Sequence, residues 1–138
     1  WIKIYADRGY YRLPDSSYRS RVNFTKAEID AIADETVGSG RFLASHAVTR
    51  DGIIYSLNAG ARTIEHGFAM DDECMDLMVK KNAYWCPTAT VLDFVAEGRA
   101  QAGNSINLQM LQGLPQVFKK ALQKGVKIAF GTDAGGFD

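Results

Sequence analysis

The chain holds two histidines, and each closes a short apolar run, Phe42-Leu43-Ala44-Ser45-His46 and Thr63-Ile64-Glu65-His66. A third run, Val126-Lys127-Ile128-Ala129-Phe130, leads into Gly131-Thr132-Asp133-Ala134-Gly135-Gly136 and so offers a carboxylate. A fourth, Trp1-Ile2-Lys3-Ile4-Tyr5, places a lysine between apolar neighbours. Imidazole and carboxylate converging at one mouth suit a divalent metal such as zinc, with a position left open for water. Such an ion lowers the pKa of bound water toward about 7 and polarises a carbonyl.

Each residue also has a plainer reading. A histidine at a strand end serves equally as a hydrogen-bonded polar group, and Asp133 as a turn former or helix cap among its glycines. The glycine-rich turn lacks the Lys and Ser/Thr of a phosphate-cradling P-loop. Lys3 faces away from Ile2 and Ile4. Buried, its amine is favoured in the neutral, nucleophilic form, fit for a Schiff base or for addition of carbon dioxide to give a carbamate. Unburied, it is a lysine snorkelling to water.

Positioning these groups requires strands alternating with helices. Thr25 with Glu28 forms a capping-box signature, with Phe24 and Ile29 placed as a hydrophobic staple. The helix that follows carries Ile29, Ile32, Ala33, Thr36 and Val37 on one side and stops at Gly38-Ser39-Gly40. A short helix is expected from about residue 51 to Gly60. Another runs from Asp71 and Asp72 through Met75, Met78 and Val79 to Asn82, since Gly and Asn favour left-handed helix ends. Ala83-Tyr84-Trp85-Cys86 reads as a strand closed by Pro87, and a last helix is expected from about Gln116 to Lys124, ended by Gly125. Five strands joined by four crossovers predict parallel βαβ units. They fit an α/β fold, either an open doubly wound sheet or part of a TIM-like (β/α)8 barrel. No Gly-x-Gly-x-x-Gly follows the first strand, which favours the barrel. A whole barrel takes about 250 residues, so 138 residues supply a little over half of one.

The composition is that of a single globular domain of 15.2 kDa, 46% hydrophobic and 23% charged. Sixteen basic residues balance sixteen acidic ones, which argues against nucleic acid as a partner. No apolar run approaches the roughly 20 residues of a membrane span, and the opening residues lack the pattern of a signal peptide. Cys74 and Cys86 match no zinc spacing and read as buried free thiols. The chain begins with Trp rather than Met, so it is expected to start partway through a longer protein. A small-molecule substrate is the expected partner, and a homo-oligomer is compatible with the sequence.

In order and spacing, Ile2-Lys3-Ile4-Tyr5, Ser45-His46-Ala47, Thr63-Ile64-Glu65-His66-Gly67 and Phe130-Gly131-Thr132-Asp133-Ala134-Gly135 resemble the amidohydrolase superfamily of metal-dependent hydrolases. The resemblance is to the branch of imidazolonepropionase-like enzymes and Xaa-Pro or Xaa-Arg/Lys dipeptidases. It implies that Lys3 is the strand-four lysine, carboxylated and bridging two zinc ions. His46 and His66 would be the strand-five and strand-six histidines that hold the second metal. Asp133 would be the strand-eight aspartate, which ligates the first metal, takes a proton from the attacking hydroxide and delivers it to the leaving amine. Ala83 to Cys86 would then be strand seven, which carries no ligand. The family's His-x-His of strand one is absent, so residues 1–138 are expected to be the C-terminal portion of one catalytic barrel, strands four to eight, inactive alone. The implied reaction is hydrolysis of an amide or peptide C–N bond in a dipeptide or N-acyl amino acid.

The stretch from Ala6 to Phe24 follows the Lys3 strand and carries Arg8, Tyr10, Tyr11 and Arg12. In a loop at the mouth, these would pair with a substrate carboxylate; the plainer reading is a solvated loop. The stretch from Asp93 to Gly113 reads as a lid or insertion that tunes the substrate. Two other readings stay open: a Schiff-base lyase using Lys3 or Lys127, and a module that kept the fold without catalysis.

Overall fold

Alternation of apolar strands with amphipathic helices builds one parallel sheet with helices laid along one face. The computed structural model describes residues 1–135; Gly136, read above as part of the last turn, lies outside the described residues. The elements are β1 (Ile2–Tyr5), β2 (Asp7–Arg12), β3 (Tyr18–Val22), α1 (Lys26–Gly38), β4 (Leu43–Thr49), α2 (Arg50–Ala59), β5 (Thr63–Ala69), α3 (Asp72–Lys81), β6 (Tyr84–Cys86), α4 (Ala89–Gln101), α5 (Ile106–Lys124) and β7 (Lys127–Ile128). The sheet order is β1-β4-β5-β6-β7, with every neighbouring pair parallel. Spatial order equals chain order, with no reversal of the kind that defines a doubly wound sheet. This is an arc of a (β/α) barrel.

The core lies between sheet and helices. Ile4, Ile64 and Trp85 from the strands meet Ile53, Leu57, Met75 and Met78 from α2 and α3, all buried. Each such side chain contributes about 1.5–3 kcal/mol by leaving water. Ser45 Oγ lies 2.8 Å from Ser56 Oγ, so this buried hydroxyl of β4 is satisfied by α2. Both cysteines are buried and free.

The helix ends are set by local chemistry. Thr25 and Glu28 form the reciprocal capping box on α1, and Asp71 caps α3 by accepting from the Cys74 amide at 3.0 Å. Gly60, Asn82 and Gly125 close α2, α3 and α5 in the left-handed region.

Several expectations change. The stretch from Ala6 to Phe24 holds an antiparallel hairpin, β2 with β3, built of Tyr and Arg residues on extended backbone. The uncertain stretch after Pro87 is two packed helices. Of these, α5 begins at Ile106 rather than Gln116 and continues through Pro115, since Ile106, Met110, Leu114 and Ala121 bury one face across it. The last strand is limited to Lys127–Ile128, and Phe130 is 95% exposed. Val37 and Val79 are exposed rather than core, lying at the edge of their helices' apolar stripes. The strands β4 and β5 run past their histidines to Thr49 and Ala69, so His46 and His66 sit inside strands. Among the described residues, no helix is long and apolar enough to cross a membrane.

Candidate metal centre and the adjoining cavity

Tyr5 and His46 are register partners in β1 and β4, and their rings stack with centroids 3.6 Å apart. Residues two apart on a strand share a face, so Lys3 lies on the same side of the sheet as Tyr5 and His46. Parity alone would send His66 the other way, since its partner is Ala47, the neighbour of His46. The backbone overrides parity. His66 has φ 76° and Gly67 φ 57°, and the β4–β5 register shifts between Ala47 and Thr49. A bulge of this kind re-aims a side chain. The two imidazoles consequently stand edge to face, with centroids 4.3 Å apart.

Each ring is held through one nitrogen. Tyr10 Oη lies 2.9 Å from His46 Nε2, and Thr88 Oγ1 lies 2.7 Å from His66 Nδ1. Trp85 donates to the His66 carbonyl at 2.6 Å, fixing the strand from behind. A Cβ on Gly67 would sit 2.7 Å from Trp85 Nε1, so this position needs glycine for space as well as for φ. Thr88 and Asp133 also occupy the left-handed region, at φ 44° and 54°. Three non-glycine residues in that region around one site mark strain of the sort held at functional positions.

Burial dominates the electrostatics. It pushes the His46 imidazole down to about 3, helped by the neighbouring His66 and Lys3 charges. Burial likewise lowers His66 to about 4, against the opposing pull of Asp133. Both rings are therefore neutral near pH 7, the form that ligates metals. The Tyr10 phenol is pushed up by burial and stays protonated. Burial also raises the Cys86 thiol, to about 11, so it is not a thiolate near pH 7.

Asp7 is a residue that sequence reasoning missed. It is fully buried, and its carboxylate accepts from the Val48 and Thr49 amides at 3.0 and 2.9 Å and from Ser20 Oγ at 3.0 Å. It thereby occupies the N-terminal end of α2, whose own Thr49 makes no side-chain cap. Its Oδ1 lies 3.8 Å from His46 Nε2. Burial raises the Asp7 carboxyl, while the Thr49 and Val48 amides pull it back. Thr88 was missed as well. The local signal for both was weak, because each acts on an element distant in the chain.

Lys3, His46, His66 and Asp133 line one cavity of about 250 Å³ with Ile4 and Tyr5. His46, His66, Asp133 and Tyr10 also line a second, of similar volume, walled by α4 and α5. Lys3 is exposed on the open face of the sheet. Arg8, Tyr11 and Arg12 are exposed on the hairpin and line neither cavity; Arg12 instead lies over the Tyr18 ring and donates to Gln109. Lys127 lies over the Tyr84 ring, outside both cavities. Arg99 and Asn107, not singled out from the sequence, belong to the second cavity.

Among the described residues, no group of three or more His, Cys, Asp or Glu side chains is gathered closely enough to hold a metal by itself. The donor chemistry nonetheless fits a borderline divalent cation. Two neutral, pre-oriented imidazoles face one another, a carboxylate lies on the same wall, and an amine capable of carboxylation stands beside them.

The model of the amidohydrolase family matches residues 2–137. A crystal structure of an Xaa-Pro dipeptidase with methionine bound in its active site is 37% identical, with a TM-score of 0.77, over 97% of this chain and 34% of that one. A putative prolidase from Bifidobacterium longum is 28% identical, with a TM-score of 0.70, over 97% of this chain and 34% of that one. The ochratoxinase of Aspergillus niger is 26% identical over 96% of this chain and 28% of its own length. The chain thus spans about a third of the length of the proteins it matches.

Proposed function

The chain belongs to the amidohydrolase family, and from that premise we propose that it supplies part of the active site of a metal-dependent hydrolase of amide C–N bonds. The observation that carries this reading is the facing pair of buried, neutral imidazoles, each anchored through one nitrogen. Tyr10 engages His46 Nε2 and Thr88 engages His66 Nδ1, which leaves His46 Nδ1 and His66 Nε2 to hold a cation. Lys3, as a carbamate formed with carbon dioxide, and Asp133 complete the donors this chain offers to two zinc ions. When bound, zinc lowers the pKa of water toward about 7 and polarises the scissile carbonyl.

The chain's own residues do the rest. Asp133, on the wall shared by both cavities, accepts the proton of the attacking water and returns it to the leaving amine. Tyr10 and Thr88 keep the two rings oriented, as second partners of ligating histidines do. The helices α4 and α5 wall off the cavity in which the substrate lies. In this reading β1, β4, β5, β6 and β7 are strands four to eight of an eightfold barrel, and the first three strands, with a further pair of histidines, lie outside these residues. Residues 1–138 alone are then inactive. The similarity to an Xaa-Pro dipeptidase, a putative prolidase and an ochratoxinase supports a dipeptide or N-acyl amino acid as substrate.

The test is hydrolysis of dipeptides and N-acyl amino acids by the whole barrel protein supplied with zinc. Asp133→Asn is expected to lower kcat by about 10²–10⁴-fold, with the fold intact by circular dichroism. Activity indifferent to chelators would overturn the metal reading. A covalent adduct trapped by borohydride on Lys3 or Lys127 would replace it with Schiff-base chemistry.

A further inference from the structure

We propose that a third cavity, enclosed by the β2–β3 hairpin, the end of β5 and the middle of α5, is a binding site for a single aromatic ring. Of its lining, only Phe68 also lines a cavity at the histidine pair. Ring binding there does not depend on amide hydrolysis. The cavity measures about 210 Å³, and its apolar walls are Tyr18, Phe68, Met70, Met110, Gly113 and Val117. An apolar cavity of about 150 Å³ is large enough to hold benzene, so one ring fits. The two aromatic walls offer edge-to-face contacts, and the two thioethers are soft partners for a ring edge.

Gly113 keeps the space open. It lies inside α5, where glycine is the least favoured residue after proline. Other glycines of the chain have a local reason to be there. Gly60 and Gly125 hold positive φ, and a Cβ on Gly52 or Gly67 would collide with a neighbour. Neither reason applies to Gly113: its φ is not positive, and nothing stands within 4 Å of where its Cβ would be. Gly98 is equally unconstrained but exposed to water, whereas Gly113 borders the cavity. Met110, Gly113 and Val117 fall on one face of the helix, so a larger side chain at 113 would fill the space they line. The two sides of the cavity are also tied to one another. Arg12 of the hairpin lies 5.8 Å over the Tyr18 ring and donates to Gln109 Oε1 of α5 at 3.4 Å.

Phe68 stands between this cavity and the histidine pair, with its ring centroid 5.5 Å from that of His66. An occupant is therefore one side chain away from His66. The ring arrives either as a substituent of a substrate held at the histidines or as a separate aromatic molecule, and the chemistry of the site is the same for both.

The test is titration of the whole barrel protein, carrying isotope-labelled methionine methyls, with p-cresol. Ring-current shifts are expected at the Met70 and Met110 methyls and not at those of Met75 and Met78, which line none of these cavities. Gly113→Leu is expected to weaken p-cresol binding by at least about tenfold, with the thermal midpoint unchanged or raised. Gly113→Ala, which adds one methyl, should weaken it less. Unshifted Met70 and Met110 methyls, or binding undiminished in Gly113→Leu, would overturn the site. If Gly113→Leu does not fold, the wild-type shifts decide. Hydrolysis kinetics then separate the two sources, and either result supports the site. A raised KM for substrates bearing an aromatic ring, with kcat unchanged, assigns it to the substrate. Hydrolysis indifferent to saturating p-cresol assigns it to a separate molecule. Binding in a protein that hydrolyses no amide would sink the enzyme reading and leave the ring site standing.

Discussion

Thr88 Oγ1 stands 2.7 Å from His66 Nδ1, and both residues hold left-handed backbone, at φ 44° and 76°. The hydroxyl follows β6 and the ring belongs to β5, so the contact ties two neighbouring strands into one site. A ligating histidine is oriented by what its second nitrogen touches. Thr88→Val keeps the shape and removes the hydroxyl. Zinc affinity, read by competition with a chromophoric chelator, is expected to fall about 10–100-fold, and Thr88→Ser should restore it. An unchanged affinity would deny the hydroxyl any part in setting the ring.

Zinc itself should stabilise the fold. A ligand present at a hundred times its dissociation constant adds about 2.7 kcal/mol to the folded state. The thermal midpoint is therefore expected to rise with added zinc and to return with chelator. His46→Ala and His66→Ala should each abolish the rise. A rise that persists in both variants would place the binding elsewhere.

Gly52 tests packing against propensity. Alanine is favoured over glycine in a helix by up to about 1 kcal/mol, which predicts a stabilised α2. A Cβ at this position, however, would lie 2.7 Å from Asp7 Oδ2. That carboxylate is buried and pinned by the Val48 and Thr49 amides, so it has no room to yield. Overpacking costs typically 1–3 kcal/mol and outweighs the gain. Gly52→Ala is expected to unfold at lower urea concentration than the wild type, and a higher midpoint would contradict the close approach.

Glu28 gives a pH dependence whose sign can be worked out. The Thr25 amide donates to Glu28 Oε2 at 2.7 Å and the Thr25 hydroxyl donates at 3.0 Å, which hold the carboxyl below its ordinary value. A depressed folded pKa means stability that is present above the unfolded value, about 4.3, and lost as pH falls through the folded one. The wild type should therefore exceed Glu28→Gln in stability at pH 7, with the difference shrinking below about pH 4.3. A difference that is flat from pH 7 to pH 3 would remove the charge from the account.

Much of the architecture was legible because its causes are local. The capping box at Thr25 and Glu28, and the helix ends at Gly60, Asn82 and Gly125, depend on residues within a few positions of one another. The spacing of those punctuation marks was enough to predict parallel strands, while the order of the strands stayed open between a barrel arc and a doubly wound sheet. What escaped was extended backbone mistaken for loop in the hairpin of β2 and β3, which is rich in Arg and Tyr and has no run of apolar residues. The start of α5 escaped too, because Pro115 reads as a breaker although the apolar face runs on through it.

The amino-acid sequence by itself determined that two imidazoles, a lysine and a carboxylate would sit on, or just after, strands of one parallel sheet. Only the tertiary structure decided which of them meet. Side-chain parity follows from local alternation and would have set His66 opposite to His46. The bulge between β4 and β5, the glycine at position 67 against Trp85, and the Thr88 hydroxyl turn it back, and all three depend on neighbouring strands. The same holds for Asp7, Arg99 and Asn107. Nothing within a few residues of each marks it, because its partner or its cavity is assembled from elements far along the chain.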